Sequence, residues 1–139
     1  MKKILVLCTG NSCRSQIAEG YLRHLGKDVL VYSAGLAPHG VNPKAIQVMS
    51  EDAVDISSHT SNHIELYRNI DFDIVITVCD NAKENCPYFP TNAAKIHSSF
   101  PDPAKATGTE EQILKEFREV RDKIKKFSID FLNTHQLAR

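Results

Sequence analysis

A cysteine and an arginine, separated by five small and mostly polar residues, stand in the run Cys8-Thr9-Gly10-Asn11-Ser12-Cys13-Arg14-Ser15. The run follows directly on the strand-like segment Lys3-Ile4-Leu5-Val6-Leu7. A short loop that leaves a strand and enters a helix turns its backbone N–H groups inward, and the helix N-terminus adds partial positive charge. Such a loop binds a tetrahedral oxyanion. Cys8 occupies the place of a nucleophile, and the helix dipole together with Arg14 favours its thiolate. The planar guanidinium of Arg14 matches two oxygens of a phosphate-like group, which a lysine point charge does not. Taken singly, these residues have blander roles: a cysteine closing a strand is commonly a buried small hydrophobe, and an arginine opening a helix is commonly solvated. The combination is more specific. Gly10 permits close backbone approach, Asn11 tolerates a left-handed conformation, and Ser15 is placed to donate to the sulfur. Neither a Gly-Lys-Ser/Thr phosphate loop nor a Gly-x-Gly-x-x-Gly fingerprint is present. The expected oxyanion-binding residues are Thr9, Gly10, Asn11, Ser12, Cys13, Arg14 and Ser15.

Two further cysteines stand far downstream, Cys79 and Cys86. Buried inert thiols and a zinc site are the alternatives to a redox pair. The spacings Cys8 to Cys13 and Cys79 to Cys86 do not give the short Cys-x-x-Cys knuckles of structural zinc sites. His24, His39, His59, His63, His97 and His135 are scattered, so no metal site is expected. Cys86 precedes Pro87 in a polar segment, a poor place for a core thiol, which favours the redox reading. Asp102, between Pro101 and Pro103, is the candidate general acid. Aspartate between prolines is often a turn residue, yet the chemistry calls for a carboxyl on a late loop to protonate the oxygen that leaves the oxyanion.

These groups need a scaffold, and 139 residues with 42% hydrophobic content suit one compact domain spanning 1–139. Lysine and arginine total 17 and aspartate and glutamate total 17, so no basic face for nucleic acid is implied. No segment has the length of a membrane span, and no secretory signal is recognisable. A cytoplasmic protein is expected, with its cysteines reduced at rest and any disulfide transient and catalytic.

Strands and helices alternate, which argues for an α/β fold with a parallel sheet wrapped by helices. Lys3–Leu7 is the first strand. Ile17, Tyr21 and Leu25 lie on one face of a helix over 15–25 that Gly26 ends. Val29–Ser33 is the second strand. A helix begins near Pro43 with Asn42 as its cap and Ala45, Ile46 and Met49 facing inward. Phe72–Val78 reads as a buried strand that delivers Cys79 at its carboxyl end, and Lys95–His97 as a short further strand. Ile113, Phe117, Val120, Ile124, Phe127 and Phe131 mark a long last helix whose periodicity serves core packing. In such a sheet, ligands collect outside the carboxyl ends of the strands. That places the loop after Leu7 and the segment after Val78 at one edge, where Cys79 can approach Cys8.

The loop Cys8–Ser15 together with Asp102-Pro103 resembles the low-molecular-weight protein tyrosine phosphatases. Over nearly its full length the chain is similar to the thioredoxin-coupled arsenate reductases of that superfamily. The similarity runs through the loop, Tyr32-Ser33-Ala34-Gly35, His39-Gly40-Val41-Asn42-Pro43, Asp55-Ile56-Ser57, His59-Thr60-Ser61, and Cys79 to Pro87. The downstream cysteine pair is the specific part, because the phosphatases share the loop and the aspartate but lack the pair. The resemblance implies a three-layer fold with a four-stranded parallel sheet flanked by helices, and reduction of arsenate to arsenite with no cofactor. By that resemblance Cys8, Arg14, Cys79, Cys86 and Asp102 are catalytic. Cys8 attacks arsenic, Arg14 and the loop amides hold the charge, and Asp102 protonates the departing oxygen. Cys79 then attacks the Cys8 sulfur, arsenite leaves, and Cys86 takes over the disulfide for reduction by thioredoxin. A phosphatase would instead use water on a cysteinyl-phosphate. Several relatives carry an aspartate where Asn62 stands, part of a monovalent-cation site with the equivalents of Asn11, Glu19 and Thr60, and this chain lacks that carboxylate. Were residues 79 to 86 helical, seven steps of about 1.5 Å would hold the two Cα atoms roughly 10 Å apart. A disulfide needs roughly 4.4–6.8 Å. Residues 80 to 87 are therefore expected to change conformation between reduced and oxidised states.

Overall fold

The computed structural model describes residues 1–80 and 87–139. Four strands, β1 (Lys2–Leu7), β2 (Val29–Ala34), β3 (Ile74–Thr77) and β4 (Ala94–His97), form one parallel sheet in the order β2-β1-β3-β4. Among the described residues three α-helices accompany it: α1 (Arg14–Leu25), α2 (Pro43–Glu51) and α3 (Glu110–Thr134). The chain leaves β1 for β2 on one side and later returns to place β3 on the other. The strand order therefore reverses at the carboxyl end of β1, the place where open α/β sheets bind ligands.

The alternation of side chains along β1 divides the core in two. Ile4 and Val6, with Val31, Ile74 and Ile76, pack against Ile17, Ala18, Tyr21 and Leu22 of α1, Ala45, Val48 and Met49 of α2, and Leu114, Phe117, Val120 and Ile124 of α3. Leu5 and Leu7 face the other way, onto Ile64, Phe72, Val75 and Phe89. This second face is covered by a 3-10 turn over Ile64–Tyr67 and by edge-to-face aromatic contacts of Tyr32 with Tyr67 and Phe72 and of Phe72 with Phe89. Helical segments thus flank the sheet on both sides.

Local signals fix the helix ends. Asn42 caps α2 by accepting from the Lys44 amide, with Pro43 in the first turn. Thr109 and Gln112 form a reciprocal capping box at the start of α3, where Glu110 and Glu111 also complement the helix dipole. Two expectations need correction. The strand expected over 72–78 is confined to Ile74–Thr77, because Phe72 turns into the aromatic cluster before the ladder begins. In α2, Ile46 is only half-buried and Val48 takes the inward position, since the helix presents its Ala45, Val48 and Met49 stripe.

Candidate active site

Between β1 and α1 the backbone of residues 8–13 is held from outside. The Thr9 carbonyl accepts from the Ala37 amide (3.1 Å), that of Gly10 from the His39 amide (3.0 Å) and that of Ser12 from the Asn42 amide (3.1 Å). The Asn11 carbonyl accepts from Gln16 Nε2 (3.0 Å) and that of Cys13 from the Ile17 amide. Five successive carbonyls are thereby directed into the protein. In a planar trans peptide the N–H points away from the C=O, so the loop turns its amides toward a cavity of about 450 Å³. Cys8, Thr9, Gly10, Ser12, Cys13 and Arg14 line it together with residues 39–43 and with Asp102, Ala104 and Lys105.

Asn11 makes this loop possible. It adopts a left-handed conformation (φ 45°), which asparagine tolerates better than most residues, and its side chain is fully buried. Asn11 Nδ2 donates to Ser15 Oγ (2.8 Å) and Ser33 Oγ (2.9 Å), and Oδ1 accepts from the Asn62 amide (2.8 Å). Ser15 accepts from Asn11, which leaves its own proton to donate elsewhere. Ser33 in turn donates to Glu19 Oε1 (2.6 Å), and Glu19 Oε2 is met by Arg23 Nε at 3.0 Å and His59 Nε2 at 3.5 Å. Gln16 ties the loop to the Thr60 carbonyl. Asn62 Nδ2 donates to Thr60 Oγ1 and Tyr67 Oη, so at the Asn11, Glu19, Thr60 and Asn62 positions protein groups hold the polar atoms.

Sequence reasoning found Asn11 and Ser15 but missed the supports beneath them, Gln16, Ser33 and Gly35. The signal for Gly35 was its place after β2, beside the loop. A Cβ there would meet the Thr9 carbonyl and would stand 2.7 Å from the Cys8 carbonyl oxygen. Both obstacles are backbone atoms that cannot rotate away. Gly35→Ala should weaken phosphate binding at least tenfold and destabilise the fold by about 1–3 kcal/mol, as overpacking does. Calorimetric titration with phosphate and a thermal melt measure the two effects, and wild-type values in both would refute the close approach.

Cys8 ends β1, its amide bonded to the Ala34 carbonyl (3.2 Å), and its residue is 2% exposed. Arg14 is equally buried at the helix start. Its Nη1 donates to the Phe100 carbonyl (3.1 Å), and Nη2 stands 3.7 Å from Asp102 Oδ2. Asp102 Oδ1 accepts from the Ala104 amide and caps a 3-10 turn over Pro103–Lys105. Asp102 is therefore both the turn residue and a member of the cavity wall. Burial pushes the Cys13 thiol up to about 12, with the Asp102 carboxylate adding to the rise. Cys13 lines the cavity as an inert thiol. Cys8 and Cys13 are thiols, whereas Cys79 is disulfide-bonded. Cys79 is fully buried just past β3, where the Val78 amide continues the ladder onto the Leu7 carbonyl (3.0 Å). Cys86 lies outside the described residues, as does most of the segment 80–87 for which a rearrangement is expected.

A buried cysteine on a strand-to-helix loop, a buried arginine and an aspartate thus line one cavity beside a parallel α/β sheet. Residues 3–139 match the family of low molecular weight phosphotyrosine protein phosphatases, and the chain belongs to that family. It is 48% identical over 134 residues to the arsenate reductase of Halalkalibacterium halodurans, covering 96% of both chains. Its fold superposes on an arsenate reductase in the oxidized state with a TM-score of 0.81 at 34% identity, covering 96% of this chain and 98% of the other. An arsenate reductase in the phosphate binding state matches with a TM-score of 0.78 at 33% identity, with the same coverage.

Proposed function

We propose that this chain reduces arsenate to arsenite, with Cys8, Arg14, Cys79, Cys86 and Asp102 as its catalytic groups. One observation carries the reading: the oxyanion loop and a second oxidisable cysteine, Cys79, leave adjacent strands of the sheet at the same edge. Arsenate binds to the loop amides and Arg14, which neutralise its charge in a site largely removed from water. The Cys8 thiolate attacks arsenic, an oxygen leaves, and Asp102 supplies its proton, giving a sulfur–arsenic adduct. Cys79, as a thiolate, then attacks the Cys8 sulfur. The sulfur–arsenic bond breaks, its electron pair stays on arsenic, and arsenite departs from a Cys8–Cys79 disulfide. Cys86 attacks Cys79, releases Cys8 as a thiol and leaves a disulfide that thioredoxin reduces.

The reaction needs arsenate and a dithiol protein, with neither nucleic acid nor membrane. No helix among the described residues is long and apolar enough to cross a bilayer. A reducing compartment, the cytoplasm, suits the cycle. The second reading is hydrolysis of phosphate monoesters through a cysteinyl-phosphate, favoured by the family match and by a loop that serves either chemistry. Arsenate-dependent loss of NADPH in the presence of thioredoxin and its reductase, with arsenite formed in equal amount, is the expected result. Hydrolysis of an aryl phosphate without that loss would replace the first reading by the second.

A further inference from the structure

Six ionisable residues line the cavity among the described residues: Cys8, Cys13, Arg14, His39, Asp102 and Lys105. The mechanism uses Cys8, Arg14 and Asp102, and Cys13 is an inert thiol. Of the remaining two, Lys105 is a long flexible arm, whereas His39 is fixed to the loop. Its amide donates to the Gly10 carbonyl at 3.0 Å. Its ring lies on Gly10 so closely that a Cβ there would be 2.5 Å from His39 Cδ2 and 3.2 Å from Nε2. Gly40, at φ +86°, then reverses the chain, a conformation that suits glycine. Two residues later the Asn42 amide returns to the Ser12 carbonyl. The arch over 37–42 is thus pinned three times to the loop, and it carries the imidazole into the lining of the cavity.

An oxyanion attacked in line by the Cys8 sulfur directs its leaving oxygen away from that sulfur, toward the mouth. Asp102 and the exposed His39 line the same cavity as Cys8. We propose that His39 is a substrate-positioning residue that donates a hydrogen bond to this outward oxygen, and so selects a free inorganic oxyanion over an ester. The inference rests on the reading of the cavity as an oxyanion site. In an ester the outward oxygen carries carbon instead of charge, accepts poorly, and sends its substituent against the ring. A site that offers a donor to one group discriminates against analogues that cannot accept it.

Three measurements on His39→Ala, His39→Phe and His39→Gln test this: the Kd of inorganic phosphate and the Kd of phenyl phosphate, both by calorimetry, and KM and kcat for arsenate. In the alanine and phenylalanine variants, phosphate Kd and arsenate KM should rise about tenfold, the worth of one hydrogen bond to an anion. Arsenate kcat should fall less than KM rises. Phenyl phosphate should bind the alanine variant as well as or better than wild type. Glutamine, which keeps a donor of similar reach, should restore phosphate affinity to within about threefold of wild type. Unchanged phosphate affinity in the alanine variant overturns the assignment. So does equal weakening of phosphate and phenyl phosphate, or a glutamine variant no better than alanine. If the wild type does not turn over arsenate while the phosphate and phenyl phosphate pattern holds, the reductase reading fails and the role of His39 stands.

Discussion

Replacing Cys79 with serine should lower arsenate-dependent NADPH oxidation by at least about a thousandfold while phosphate still binds the loop with wild-type affinity. The size of the loss depends on whether another thiol can take over the attack on the Cys8 sulfur. Cys13 is the candidate, since it lines the same cavity. Its thiol is pushed up to about 12 by burial and by Asp102. Near neutral pH the Cys13 thiolate, the form that attacks, is therefore scarce. Serine at position 79 is close in size, so the fully buried site is not left with a cavity. Without that attack the adduct on Cys8 returns to arsenate by hydrolysis. Phosphate titration of the same preparation separates loss of the second thiol from damage to the loop. Retention of more than a tenth of the wild-type rate with intact phosphate binding would remove Cys79 from the electron path.

Much of this site was legible in the sequence because its parts are local. The octet Cys8–Ser15 lies between a strand and a helix, and both obey simple periodicities, so the placement of Cys8 and Arg14 follows from short-range rules. The Asn42 cap of α2 was equally readable. Contacts across the fold were not. Nothing near Ser33 in the sequence says that its hydroxyl links Asn11 to Glu19, nor does anything near Phe100 say that its carbonyl receives Arg14. Such pairs depend on strand order and register. Register also adds a detail about Cys79. Leu7 pairs with Thr77, and Val78 shares the core cluster of Cys8. Val78 thus continues the face that Cys8 takes, and the chain bends at Cys79, just past the strand.

Arg14→Lys should lower kcat/KM for arsenate by about 10²–10³, comparable to removing one donor from an oxyanion hole. The charge is kept, so the loss measures geometry. Arg14 is 3% exposed, with Nη1 held by the Phe100 carbonyl and Nη2 beside Asp102. Those contacts orient the planar guanidinium before substrate arrives, so that its remaining N–H groups meet two oxygens at once. A lysine ammonium can approach the anion as a point charge, but it cannot serve the Phe100 carbonyl, Asp102 and two substrate oxygens together. The Phe100 carbonyl is left buried without this donor, which costs about 1–3 kcal/mol. Phosphate affinity should fall about tenfold and kcat by a further ten- to hundredfold, because the charge on the oxygens is greatest as the sulfur–arsenic bond forms. Measured separately, the two factors show where the fork acts. A loss confined to KM would assign Arg14 to capture of the anion, and a total loss below tenfold would leave charge stabilisation to the loop amides.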